Sequence, residues 1–403
     1  MQPVELKKNI YWVGALDWNV RDFHGYSVPK GTTYNAYLVM DEKITLFDTV
    51  KKPFKNDLVE NIRKVVDPER IDYLVVNHVE MDHSGSIPEM IELIRPEKVI
   101  CSPMGKKALI DHFHREDWPF EVVETGSSLK LGNKSVNFLE TRMLHWPDSM
   151  MSYIPEDKLL LSSDGFGQHW ATSERFDDEV DTDQLMLHAA KYYANILLLF
   201  SPLVQKLLAK VHDMGIEIDM IAPDHGLIWR KDPGSIVEAY GRWSRQESLP
   251  KALIIYDTMW QATEKMACHI AKGLREEGVD YKVLNLKCNH RSDIMTEILD
   301  ARAIIMGSPT INNGMMPPMA DMLCYMKGLR PAGKIGAAFG SYGWSGESVK
   351  LISEAMTEMG IKMEAEGVRI KYSPRKEDLA RCFEMGRKIG QAIKAAEPVS
   401  AKA

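Results

Sequence analysis

The apolar positions follow two different rhythms along the 403-residue chain. Up to about residue 248, short apolar runs alternate with irregular polar stretches, and residues 10–13, 37–39 and 44–47 read as strands of an antiparallel opening. Three later runs, 73–76, 159–161 and 220–222, are apolar throughout and break off shortly before His78, Asp164 and His225. Beyond Lys251, strands are predicted at 252–256, 281–286, 303–306, 334–339 and near 368–371, separated by amphipathic helical stretches. The last helix runs from 376 to about 394. Strands alternating with helices describe a parallel α/β sheet. The change of rhythm near 248–250, in a chain too long for one hydrophobic core, predicts two domains, 1–249 and 250–403. Residues 398–403 read as a frayed tail.

Composition narrows the classes. Apolar residues make up 45% and charged residues 27%, the balance of a globular protein. A net charge of -7 gives no general attraction to phosphate backbones or anionic membranes, so neither is an expected partner. The most apolar stretch, 194–204, is interrupted by Asn195, Ser201 and Pro202 and falls short of a bilayer span. The N-terminus lacks the features of a secretory signal, which makes the cytoplasm the expected compartment. Five cysteines without a CxxC pair indicate neither a disulfide framework nor a thiolate metal site.

The candidate chemistry of the first half gathers where strands end. Asn77-His78-Val79-Glu80-Met81-Asp82-His83-Ser84-Gly85 places four ligand-type side chains within six positions, in a loop leaving a buried strand. Such a loop alone could be a solvated turn. His145 in Leu144-His145-Trp146-Pro147-Asp148, Asp164 in Ser163-Asp164-Gly165 and His225 in Asp224-His225-Gly226 extend it to four imidazoles and three carboxylates. Hard anionic oxygens beside imidazoles suit iron. His112, His114, His188, His212 and His290 read as surface or packing residues. His24, Tyr26 and Tyr193 could line a substrate pocket and donate protons, with packing as the competing role.

In the second half, the strand at 252–256 leads into Asp257-Thr258-Met259-Trp260-Gln261-Ala262-Thr263 and then a helix. Hydroxyls and free backbone N–H groups at a helix start can receive a phosphate without a lysine. The loop has no P-loop signature, and no G-x-G-x-x-G follows the strand, so a mononucleotide with a monoester phosphate fits better than a nucleotide triphosphate or a dinucleotide. Two further loops belong at the same sheet edge: Ser308-Pro309-Thr310-Ile311-Asn312-Asn313-Gly314 and Ser341-Tyr342-Gly343-Trp344-Ser345-Gly346. Their glycines allow close approach to a flat ring, and Trp260, Tyr342 and Trp344 could pack near its faces.

The intervals between His78, His145, Asp164 and His225 resemble those of metallo-β-lactamase-like domains, over nearly all of residues 1–248. Hydrolases of that fold carry His-x-His-x-Asp-His and zinc, whereas this chain has Glu80 in place of the second histidine. Residues 251–395 resemble flavodoxin, most specifically at 258–263 and 341–346. Together the halves resemble a flavodiiron protein. The resemblance implies an α/β chain with an N-terminal metallo-β-lactamase-like αββα sandwich and a flavodoxin-like doubly wound parallel sheet. It implies FMN on the three loops, and two irons: one on His78, Glu80 and His145, the other on Asp82, His83 and His225, with Asp164 bridging. His83 is the member a water could replace, because it adjoins Asp82.

The implied activity is reduction of dioxygen to water or of nitric oxide to nitrous oxide, with electrons from a separate rubredoxin, in a head-to-tail homodimer or dimer of dimers. Two other functions compete: a zinc hydrolase with a redox-sensing flavodoxin domain, and a metal-free electron carrier.

Overall fold

A computed structural model describes residues 2–395, so the predicted tail at 398–403 lies outside the described residues. The chain divides into two compact units. The first comprises Met1–His24, Val28–Tyr192 and Pro202–Gly241; the second takes Gly25–Ser27, Tyr193–Ser201 and the chain from Arg242 on.

The first unit stacks two sheets, one of seven strands and one of five. Alternation explains how the apolar run Tyr73–Val76 is buried on both faces. Tyr73 and Val75 join Phe47, Ile100, Phe138, Leu161 and Ala222 in a core shared by the two sheets. Leu74 and Val76 point the other way, into a second core with Leu58, Ile62, Met90, Ile94 and Leu109 from the helices Lys55–Arg63, Ile87–Ile94 and Pro103–Phe113. The predicted opening is antiparallel as expected: Ile10–Trp12 pairs with Tyr37–Val39, which pairs with Thr45–Phe47.

Register sets the site. Leu159–Leu161 runs parallel to Met220–Ala222, with Leu161 opposite Ala222. Asp164 and His225 each lie three residues beyond those partners, so the two strands deliver them side by side. Across the sandwich, the amide of Met150 donates to the carbonyl of Asn77 (3.0 Å), tying the Tyr73–Val76 strand end to the second sheet.

The second unit has a sheet in which Leu249–Tyr256 is flanked by Asp280–Asn285 and Ala301–Gly307, followed by Ile335–Tyr342 and then Val368–Lys371, all parallel. In chain order this is 2-1-3-4-5, the flavodoxin-like doubly wound order. The helices Ala262–Glu276 and Lys376–Ala395 pack together; Met266, Ile270 and Leu274 share a core with Met385, Ile389 and Ile393.

One expectation changes. The helical run Thr182–Asp213 is long and apolar enough by composition to cross a bilayer, more than the 194–204 stretch suggested. It passes through a π-helical segment, Tyr193–Leu197, and a 3-10 turn, Leu198–Phe200. Its Leu185, Ala189, Tyr192, Leu197 and Leu198 are buried within the protein, and 33% of its most apolar 18-residue window is buried.

Candidate metal centre and flavin site

All seven predicted ligand-type residues of the first unit converge in two groups, and a third, His83, Asp164 and the unpredicted Asp224, overlaps both. His78, Glu80, His145 and Asp164 make one; Asp82, His83 and His225 make the other. Asp164 faces both. Its Oδ2 lies 2.8 Å from His145 Nε2 and 3.6 Å from His78 Nε2, and its Oδ1 lies 3.2 Å from His83 Nε2 and 3.5 Å from His225 Nε2. Glu80 Oε2 approaches His145 Nε2 at 3.1 Å and His78 Nε2 at 3.4 Å, and Asp82 Oδ2 approaches His225 Nε2 at 3.1 Å. His83, the least secure member, turns its Nε2 toward both Asp82 (3.5 Å) and Asp164. A short helix, Met81–Ser84, makes this possible by folding the adjacent pair inward; both are buried.

Local structure holds the cluster still. Asp48 accepts from the amides of Asn77 (2.7 Å) and His78 (3.4 Å) and from the Asn77 side chain (2.7 Å). His225 directs Nδ1 at the carbonyl of Thr33 (2.7 Å), which leaves Nε2 for the cluster. Gly226 follows with φ of 80°, and a Cβ there would fall 1.3 Å from Gln168 Oε1, so only glycine fits.

The donor set fits a pair of metal ions. His78 Nε2, both oxygens of Asp82, both ring nitrogens of His83 and Asp164 Oδ1 are buried without a hydrogen-bond partner. Unpartnered buried polar atoms are costly in a native fold, and cations between these groups would satisfy them together. The charges respond as expected for such a set. Burial pushes the Asp164 carboxyl up, but the charge of His83 and the hydrogen bond from His145 overcome this and hold it well below its ordinary range. Burial opposes protonation of His83, yet Asp82 and Asp164 raise its imidazole to about 10. Metal ions would replace those protons.

A cavity of about 360 Å³ opens onto the cluster, lined by Phe23, His24, Lys51, Lys52, Glu80 and Asp82 among others. His24 Nε2 lies 2.9 Å from Glu80 Oε1 while its side chain is 75% exposed at the cavity wall. Neither Tyr26 nor Tyr193, for which packing was the competing role, lines this cavity. Tyr26 is buried in the second unit, where neighbouring Ser27 pairs with Ser292. Tyr193 also belongs there, its hydroxyl paired with Ser201 (3.0 Å) and its ring against Trp243. Consecutive helical residues point about 100° apart, and it is Tyr192 that packs against His169 and His225. His169, which the sequence did not single out, is fully buried 4.7 Å from the His225 ring, with Nδ1 2.8 Å from Thr32 Oγ1. Trp146 stands edge-on to His78, with predicted packing residue His112 stacked over it.

In the second unit, the three predicted loops do lie at one sheet edge. A cavity of about 440 Å³ is lined by Met259, Trp260, Ala262, Pro309, Thr310, Ser341, Tyr342, Gly343 and Trp344, together with Tyr372 and Ser373. The last two follow Val368–Lys371, whose pairing with Ile335–Tyr342 sets Tyr372 beside Gly343. Tyr372 adopts φ of 56°, a conformation no sequence pattern announces. The Thr258 hydroxyl is buried without a partner, and the helix Ala262–Glu276 starts at Gln261 with no side-chain cap. An unsatisfied hydroxyl next to free helix N–H groups fits a phosphate. Thr263 instead pairs with Ser341 (3.0 Å).

Thr258, Gln261, Thr263, Ser345 and Gly346 are not among the lining residues, and neither are four residues of the middle loop. Of those four, Ser308 is tied to Pro309 and Met316, while Asn312 and Asn313, with φ of 49° and 57°, turn a hairpin between Thr310–Ile311 and Gly314–Met315. Two successive left-handed residues make a type I′ turn, which accounts for this Asn-Asn-Gly sequence without a ligand.

Two units, each with its own candidate site, thus share one chain. Residues 32–226 match the family model of ODP family beta lactamases, and residues 254–386 match that of flavodoxins. The chain belongs to the flavodiiron protein family. It is 49% identical to the nitric oxide reductase of Moorella thermoacetica over 97% of this chain and 99% of that protein. Among solved structures, rubredoxin oxygen:oxidoreductase from Desulfovibrio gigas superimposes with a TM-score of 0.96 at 48% identity, covering 98% of this chain and 99% of that one. The flavodiiron protein from Giardia intestinalis gives 0.93 at 34% identity, covering 98% and 97%.

Proposed function

We propose that the chain takes electrons from rubredoxin at FMN in the second unit and uses them at two irons in the first, reducing dioxygen to water or nitric oxide to nitrous oxide. The supporting observation is Asp164, whose two oxygens face two separate groups of imidazole and carboxylate donors. Kinship with the Moorella and Desulfovibrio enzymes, one named for nitric oxide and one for oxygen, supports the same reading.

When bound, FMN would supply one-electron acceptance with two-electron storage, and the irons would supply electrons to a small diatomic substrate. In this assignment His78, Glu80 and His145 would hold one metal and Asp82, His83 and His225 the other, with Asp164 available to both. Thr258 and the first turn of Ala262–Glu276 would receive the FMN phosphate, and Trp260, Tyr342 and Trp344 would offer faces to its ring. His24 carries protons inward: Nε2 meets Glu80 Oε1 on one side, and the exposed ring exchanges with water on the other. Burial of the donor atoms excludes bulk water from the reacting centre. A cytoplasmic head-to-tail homodimer or dimer of dimers completes the proposal.

The test is comparative turnover. Anaerobic protein loaded with iron and FMN and reduced by rubredoxin should consume dioxygen or nitric oxide rapidly, with about two irons per chain. Zinc in place of iron, with lactam or ester hydrolysis, would overturn the reading; flavin reduction without gas consumption would leave only an electron carrier.

A further inference from the structure

The imidazoles of the metal cluster are not supported alike from behind. His78 directs Nδ1 at the carboxylate of Asp148, 2.9 Å from Oδ2. The same oxygen accepts the Val79 amide at 2.7 Å, and the Asp148 carbonyl accepts the Ser102 hydroxyl at 2.7 Å. Asp148 is only 3% exposed, so its charge acts with little solvent screening. His225 has a neutral partner in the same place, the Thr33 carbonyl. His83 Nδ1 is buried without a hydrogen bond, although the Asp224 carboxyl lies within 4.8 Å of a ring nitrogen. Of these three imidazoles, one is hydrogen-bonded to a carboxylate, one to a neutral carbonyl and one to neither.

A carboxylate behind a ligating histidine fixes its tautomer, aims its other nitrogen and raises its basicity, and removing such a support costs roughly 10–100-fold in metal affinity. The grip on the Val79 amide adds orientation, because it locks the backbone between His78 and Glu80. We propose that Asp148 is a positioning residue that makes the His78–Glu80–His145 position the tighter of the two metal positions, the first to fill and the last to empty. The inference rests on the diiron assignment and adds an order of occupancy to it.

Anaerobic calorimetric titration of metal-free, FMN-loaded protein with ferrous iron decides the matter. The wild type should fill in two resolved steps. Asp148→Asn keeps a neutral acceptor for His78 and should weaken the tight step by about tenfold; Asp148→Ala should weaken it by about 100-fold. The weaker step should move by less than about threefold in either, with FMN absorbance and far-ultraviolet circular dichroism unchanged. A residue with a merely structural role would not separate the two steps or grade Asn from Ala. A single unresolved step in the wild type, which needs no variant, overturns the inference, as does equal weakening of both steps or an unaltered tight step in Asp148→Asn. Uptake of no iron by the wild type sinks the diiron assignment itself, and this inference with it.

Discussion

The two sites are built on opposite principles. The metal cluster is buried, crowded with charge and assembled from strand ends in fixed register, so its members cannot move independently. The flavin site is a loop-lined cleft with Trp260 and Trp344 each 87% exposed. Charged donors need exclusion of water and rigid spacing, whereas a flat ring needs faces and edges that backbone can approach. The contrast teaches that damage should spread in the first site and stay local in the second.

The largest effect should come from Asp164→Ala, which removes the one residue facing both donor groups. Iron content should fall from about two per chain to below one, and gas consumption by more than about 100-fold, with FMN retained; elemental analysis and an oxygen electrode read both. Tyr372→Ala should weaken FMN by only about tenfold, roughly 1.4 kcal/mol, on fluorescence titration, leaving iron untouched. A loss of iron in that variant would break the contrast.

A third prediction concerns pH in the metal-free protein, where the units should slope in opposite directions. His83 has its folded pKa raised to about 10, so its contribution is fully present below its ordinary value near 6.5 and disappears as pH rises through 10. Lys334 is buried, and desolvation lowers its ammonium to about 7 although Nζ donates to the Leu299 carbonyl (3.0 Å). Its folded form binds the proton less well than the unfolded chain, so its penalty is full below pH 7 and is relieved toward its ordinary value near 10.5. Hydrogen exchange across pH 7–10 should show protection falling in the first unit and rising in the second, and Lys334→Met should abolish the rise. The smallest effect is expected at the hairpin tip: Asn312→Gly should leave FMN affinity within about twofold, and a larger loss by fluorescence titration would return that turn to the site.

Much of this was legible beforehand because strands that end in ligands carry a plain signal. Runs 73–76, 159–161, 220–222 and 368–371 are strands over those same residues. The metal set was legible for the same reason, since rare residue types cluster after buried runs. Tyr192 and Tyr193 were not separable, because adjacent aromatics look alike until the π-helical turn fixes which way each points. Tyr372 was hidden by its left-handed backbone, which nothing in Lys371-Tyr372-Ser373 requires. Asp148 stood in view within the His145 segment, but its hydrogen bond crosses 70 residues of chain.

The pairing of Leu161 with Ala222 also limits how this chain can vary in length. Both connections to the cluster, 162–164 and 223–225, count the same number of residues from one register point. Inserting or deleting a residue in either would rotate a ligand out of the cluster and leave the strands intact, so variants could keep the fold and lose the chemistry at once. Length, as much as residue identity, is under constraint there.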